Sequence, residues 1–117
     1  MKAFILHQVA FMQHQPQTFF NQKIEQILQS YSICEILTCS SASNILVENF
    51  ILSHPLIQHS HLSKGIKMMK VWELNKQCDI GIFFYEEELS GKLKRTKKAI
   101  SNIQKLNKPF IIVPYLN

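Results

Sequence analysis

A chain of 117 residues that is 46% hydrophobic and 18% charged is sized for one domain, spanning residues 1–117, with a core that needs no disulfide or structural metal. No apolar run approaches the roughly 18–20 residues of a membrane span, so no membrane partner is expected. The formal net charge of +5 is held unevenly: residues 1–60 carry two lysines against three glutamates, residues 61–117 eleven Lys/Arg against five acids.

Lys2 to Leu6 reads as a strand that is apolar without alternation, the pattern of a strand covered on both faces. Met1-Lys2 before apolar residues also has the order of a secretory signal, but His7 and Gln8 interrupt it and no cleavage site follows cleanly. A polar loop runs to Pro16 and Gln17. Thr18 is then placed to cap a helix whose Phe20, Ile24, Ile27, Leu28 and Tyr31 form one apolar stripe. Ser32 to Thr38 is a second strand. Ser40, Ser41 and Ser43 offer cap oxygens to a helix through Ile45, Leu46, Phe50 and Ile51, and Pro55 ends it. Pro55 to His61 reads equally as a short strand or a loop.

A third helix is expected from about Ser63 to Gln77, with Ile66, Met69 and Trp72 inward. Asp79 to Tyr85, DIGIFFY, is the clearest strand in the chain. A loop from Glu86 to Gly91 leads to a fourth helix, Lys92 to Leu106, burying Leu93, Ala99, Ile100, Ile103 and Leu106. Asn107-Lys108-Pro109 breaks it before a last strand, Phe110 to Val113. Strands alternating with helices predict a single Rossmann-like α/β domain: an open, mostly parallel sheet of four to five strands with helices on both faces. Ligands of such sheets sit outside the carboxyl ends of the strands, which singles out the loops His7–Gln17, Cys39–Asn44 and Tyr85–Lys92.

Ser40-Ser41-Ala42-Ser43-Asn44-Ile45-Leu46-Val47-Glu48, then Cys78-Asp79-Ile80-Gly81-Ile82-Phe83-Phe84, then Ser90-Gly91, Arg95-Thr96 and Ala99, and finally Lys108-Pro109-Phe110-Ile111-Ile112-Val113 follow one another over most of the chain. In this order the segments resemble the SLOG superfamily, the Rossmann-like domains related to DprA and LOG, and most of all its small YspA-like members. The chain departs from that pattern at the glycine motifs. The first turn is His7-Gln8-Val9, and serines stand where the second motif has glycines. A serine keeps a cap and a phosphate hydrogen bond, but it crowds the backbone that glycine leaves open. The resemblance implies a nucleotide or nucleotide-derived ligand.

The candidate ligand-binding residues are His7, Gln8, Ser40, Ser41, Ser43, Asn44, Ser90, Gly91 and Arg95. The serine turn either binds an anion with its hydroxyls and helix N-terminal amides, or is a plain helix cap. Glu86, Glu87, Glu88 and Glu48 are the carboxylates for N-glycosidic bond chemistry, or else solvated acids. Lys92, Lys94, Arg95, Lys97 and Lys98 crowd a helix start where cations oppose the macrodipole, which suits an anionic ligand or nucleic acid. No aromatic residues interleave them as a single-strand platform needs. His59-x-His61 sets two imidazoles on one side of a strand, but spacing fixes no third ligand, so no metal site and no cofactor is expected. Cys34, Cys39 and Cys78 are odd in number with no C-x-x-C, and read as reduced, mostly buried thiols in a cytoplasmic protein; Cys39, near a strand end, is the one placed to act as a nucleophile.

Three functions follow as expectations. The first is a nucleotide-binding module of sensor or regulatory type, with a homodimer as its expected assembly. The second is an enzyme cleaving or transferring an N-glycosidic bond. The third is a degenerate, ligand-free interaction domain.

Overall fold

The computed structural model describes residues 1–8, 16–39, 41–61, 68–86 and 94–115. Five strands and four helices alternate strictly: β1 Lys2–Gln8, α1 Pro16–Leu28, β2 Glu35–Thr38, α2 Ser41–Ile51, β3 Gln58–His61, α3 Met68–Gln77, β4 Ile80–Glu86, α4 Lys94–Lys105 and β5 Phe110–Tyr115. The strands form one sheet in the order β3-β2-β1-β4-β5. Every neighbouring pair is parallel.

The order explains the layers. The chain steps outward from β1 to β2 to β3, then returns to β4 and steps the other way to β5. Right-handed crossovers in opposite directions put their helices on opposite faces. One face accordingly packs Phe20, Ile24 and Ile27 of α1 and Leu46, Val47 and Phe50 of α2 on Ala3, Ile5, Ile36, Ile80, Ile82 and Phe84. The other packs Leu74 of α3 and Ala99 and Ile103 of α4 on Phe4, Leu6, Leu37 and Phe83. The unbroken apolar run of β1 is thus two alternating sets, each facing a helical layer.

Register is pinned at the amino ends of the strands. Lys2 N–H donates to Asp79 Oδ2 at 2.7 Å while Asp79 N–H donates to the Lys2 carbonyl, also at 2.7 Å. Cys34 N–H donates to the Met1 carbonyl, and Gln58 N–H to that of Cys34. Gly81 on β4 is a close approach: a Cβ there would lie 2.7 Å from Ile103 Cδ1 and 2.8 Å from the Phe83 ring.

α4 ends in a Schellman motif. Asn107 takes φ 55°, its N–H donates to the Gln104 carbonyl, and Lys108 N–H reaches back to that of Ile103. The turn aims the Lys108 side chain at the end of α3, where its ammonium donates to the carbonyls of Asn75, Lys76 and Cys78 at 2.9, 2.6 and 2.7 Å. Lys108 therefore serves as the C-cap of a neighbouring helix, satisfying carbonyls that α3 leaves open. Asn75, fully buried between α3 and α4, donates to the Ala99 carbonyl at 3.3 Å.

Several elements differ from the sequence reading. α1 begins at Pro16, whose missing N–H and fixed φ suit a first helical turn, so Thr18 lies inside the helix and is not its cap. β2 is shorter than Ser32–Thr38 because Ile33 N–H turns back to the Tyr31 carbonyl. Residues 58–61 are a true strand, the polar edge beyond β2. Of the apolar residues through which α2 runs, Leu46 and Phe50 are buried but Ile45 is 55% exposed. β5 continues to Tyr115 through Pro114. An edge strand tolerates proline where no ladder donor is required. The expected helix start at Ser63 and Leu93 lie outside the described residues, as do the side chains of Met69 and Trp72.

Candidate functional site

Parallel strands put all their carboxyl ends on one rim. Gln8, Thr38, His61, Glu86 and Tyr115 close β1 to β5 there, and α2 and α4 start from it at Ser41 and Lys94. The order reverses between β1 and β4, the kind of switch point beside which doubly wound sheets take their ligands. β2 and β4 flank β1, so the carboxyl ends of all three lie side by side on that rim. Ser40, Glu87, Glu88, Ser90 and Gly91 lie outside the described residues, and of His7, Gln8, Ser41, Glu86 and Arg95 only the backbone is described.

What is described on the rim is a polar cluster beneath the start of α2. Thr38 pairs with His61 and Ile36 with His59, so both imidazoles project to the α2 face. Thr38 is fully buried, and its Oγ1 stands 2.8 Å from His59 Nε2 and 2.8 Å from His61 Nδ1. A hydroxyl has one proton, so it donates to one imidazole and accepts from the other. The ring centroids are 6.4 Å apart. Burial lowers the pKa of His59; Glu48 opposes that shift and the neighbouring His61 adds to it. His59 is thereby favoured in its neutral form, able to accept or donate a hydrogen bond near neutral pH.

Ser43 is fully buried in the first turns of α2. Asn44 Nδ2 donates to Glu48 Oε1 at 3.1 Å, while Asn44 Oδ1 is buried without a hydrogen-bond partner. Glu48 is exposed, held by Asn44 one turn back along the helix. Among the described residues no group of three His, Cys, Asp or Glu side chains is arranged to hold a metal ion.

Sequence reasoning paired His59 with His61 but missed Thr38, which joins them. Its signal is the alternation of β2: Ile36 and Thr38 share a face, and a buried hydroxyl at the last position of a strand needs a partner. The thiols are mostly buried, as read from the sequence. Cys39 and Cys78 are buried and Cys34 is exposed, all three unbridged. Cys39 packs into the α3/α4 core, which removes it from the rim as a nucleophile. Burial pushes the Cys78 thiol up to about 11, with Lys108 opposing the shift and Asp79 adding to it.

A groove of about 260 Å³ lies across the sheet from the histidines, between α1 and β5, lined by Phe19, Lys23, Ile27, Ile111, Ile112 and Pro114. It is apolar apart from Lys23 and Gln26. No family model, curated protein or solved structure matches this chain. No helix among the described residues is long and apolar enough to cross a membrane.

Proposed function

We propose that this chain is a binding module for a nucleotide or nucleotide-derived ligand, seated on the rim at the carboxyl ends of the strands, in a sensor or regulatory role. The observation that carries the reading is the all-parallel order β3-β2-β1-β4-β5. That order puts the switch point between β1 and β4, the place where doubly wound sheets take their ligands. The rim beside it supplies the N-terminus of α2 for an anionic group. It also supplies neutral His59 and exposed His61, tied together through Thr38, as hydrogen-bonding groups for a sugar or base. A cytoplasmic location and pairing into a homodimer belong to the same proposal.

The test is a thermal-shift screen of purified protein against nucleoside mono-, di- and triphosphates and dinucleotides. A ligand that binds only the native state adds about 2.7 kcal/mol at one hundred times its Kd. A rise in melting temperature that shrinks in Ser41→Ala, His61→Ala and Arg95→Ala supports the rim. If no nucleotide moves the midpoint, the reading fails and the ligand-free interaction domain replaces it. Turnover of the bound nucleoside, lost in Glu48→Gln or Glu86→Gln, would instead make the rim an active site.

A further inference from the structure

α4, KRTKKAISNIQK, carries Lys94, Arg95, Lys97, Lys98 and Lys105 and no acid. Those five cations equal the formal net charge of the whole chain, +5. The asymmetry extends to the layers. α3 and α4 together hold seven cations against Glu73 alone, whereas α1 and α2 hold Lys23 against Glu25 and Glu48. The helix is strongly two-sided: Thr96, Ala99 and Ile103 are buried in the core, while Lys97, Lys98, Ser101, Gln104 and Lys105 are exposed. Among the described residues, none of Lys97, Lys98 and Lys105 has an ion-pair partner. Four of the five cations sit in the first turns, where they oppose the helix dipole. The arrangement works against the helix, and an external anion relieves it.

The chemistry of this flank narrows the anion. The large apolar side chains exposed among the described residues, Met1, Ile45, Leu52, Leu56 and Ile112, all lie elsewhere. The apolar side of α4 is spent on the core, so nothing is left to enter a bilayer as an interfacial helix does. α4 has no aromatic residue on which to stack an unpaired base, and no aromatic anchor of the kind that dominates protein interfaces. It offers lysines with interspersed Ser101 and Gln104, the side chains that contact phosphate oxygens. Twelve residues at about 1.5 Å each span about 18 Å. A duplex presents a phosphate every ~1.7 Å of axis over that length.

We propose that the exposed flank of α4, running from the rim toward the amino ends of the strands, is a sequence-independent docking surface for double-stranded nucleic acid. Binding is through the phosphate backbone and is set by salt. The test is fluorescence anisotropy with a labelled 20-base-pair duplex between 50 and 200 mM NaCl. Neutralising about four phosphates, one for each lysine of α4, gives a log–log slope near −3.6, a loss of affinity of about 150-fold over that range. Replacing Lys97, Lys98 and Lys105 together by glutamine flattens the slope by about 2.7 units, one lysine alone by about 0.9, and Lys23→Gln leaves it unchanged. Circular dichroism reports the fold of each variant, and the single changes stand in if the triple variant unfolds. Tighter binding to the duplex than to a single-stranded 20-mer, phosphatidylserine vesicles or polyglutamate supports the proposal. It is overturned by no binding at 50 mM salt, by equal or tighter binding to any of those three competitors, or by an unchanged slope in the lysine variants.

Discussion

Lys108→Met removes the ammonium that closes α3 and keeps most of the aliphatic stem. Three carbonyls lose a donor at 2.6–2.9 Å. The Lys76 carbonyl is exposed and finds water; those of Asn75 and Cys78 are partly buried. A hydrogen bond to a charged group contributes about 1.5–3 kcal/mol, and two bonds made by one ammonium do not add in full, so the expected loss is about 2.5 kcal/mol. At roughly 2.1 cal/mol/K per residue, the unfolding entropy of a chain this long is about 0.25 kcal/mol/K, which turns that loss into a drop of about 10 °C. Urea unfolding and thermal melts of the wild type, Lys108→Met and Lys105→Met measure it. Lys105 is exposed at the end of α4, and its replacement should cost less than about 0.5 kcal/mol. If Lys108→Met falls within that same margin, the ammonium is not a cap, and the joint between the β5 approach and α3 must be explained otherwise.

Gly81→Ala drives a methyl into Ile103 Cδ1 and the Phe83 ring, and should cost about 1–3 kcal/mol; combining it with Ile103→Val should cost less than the sum of the two changes in denaturant unfolding. A thiol reagent at pH 8 should label only Cys34 in the native protein and all three cysteines after unfolding, because Cys39 and Cys78 are buried and the Cys78 thiol is held near 11. His59 has a lowered pKa in the fold, so below about pH 6.5 the unfolded chain takes up its proton first. Its contribution is present above that pH, is lost on acidification, and levels off once the folded imidazole also protonates. A pH series of urea midpoints should therefore fall less steeply for His59→Gln than for the wild type, and parallel curves would remove His59 from the account.

The architecture was legible because both periods were. Doubly apolar runs such as AFIL and DIGIFF predict strands covered on two faces, and Phe20, Ile24 and Ile27 predict a helical stripe. The strand at Gln58–His61 was not legible, since a polar edge strand has one packed neighbour and no hydrophobic signature; only the ladder to β2 makes it one. Capping was misread at Thr18, because proline in a first turn competes with any later hydroxyl. On the rim, the histidine pair was visible as a spacing. Its link through Thr38 depends on the register of β2 against β3, a property of two strands at once. Lys108 as a cap for α3 was likewise beyond sequence, because the carbonyls it closes lie 30 to 33 residues upstream of it.

The register of β1 has a consequence for how the chain is made. This strand leaves the ribosome before the other four, yet it is the middle of the sheet. Ala3 meets Ile36 only after 33 further residues and Ile80 after 77. At about 5–20 residues per second, one side of an apolar strand waits roughly 4–15 s for its partner. The order of synthesis and the order of assembly are thus opposed, and the nascent chain exposes a ready template for foreign strands until β4 arrives to cover it.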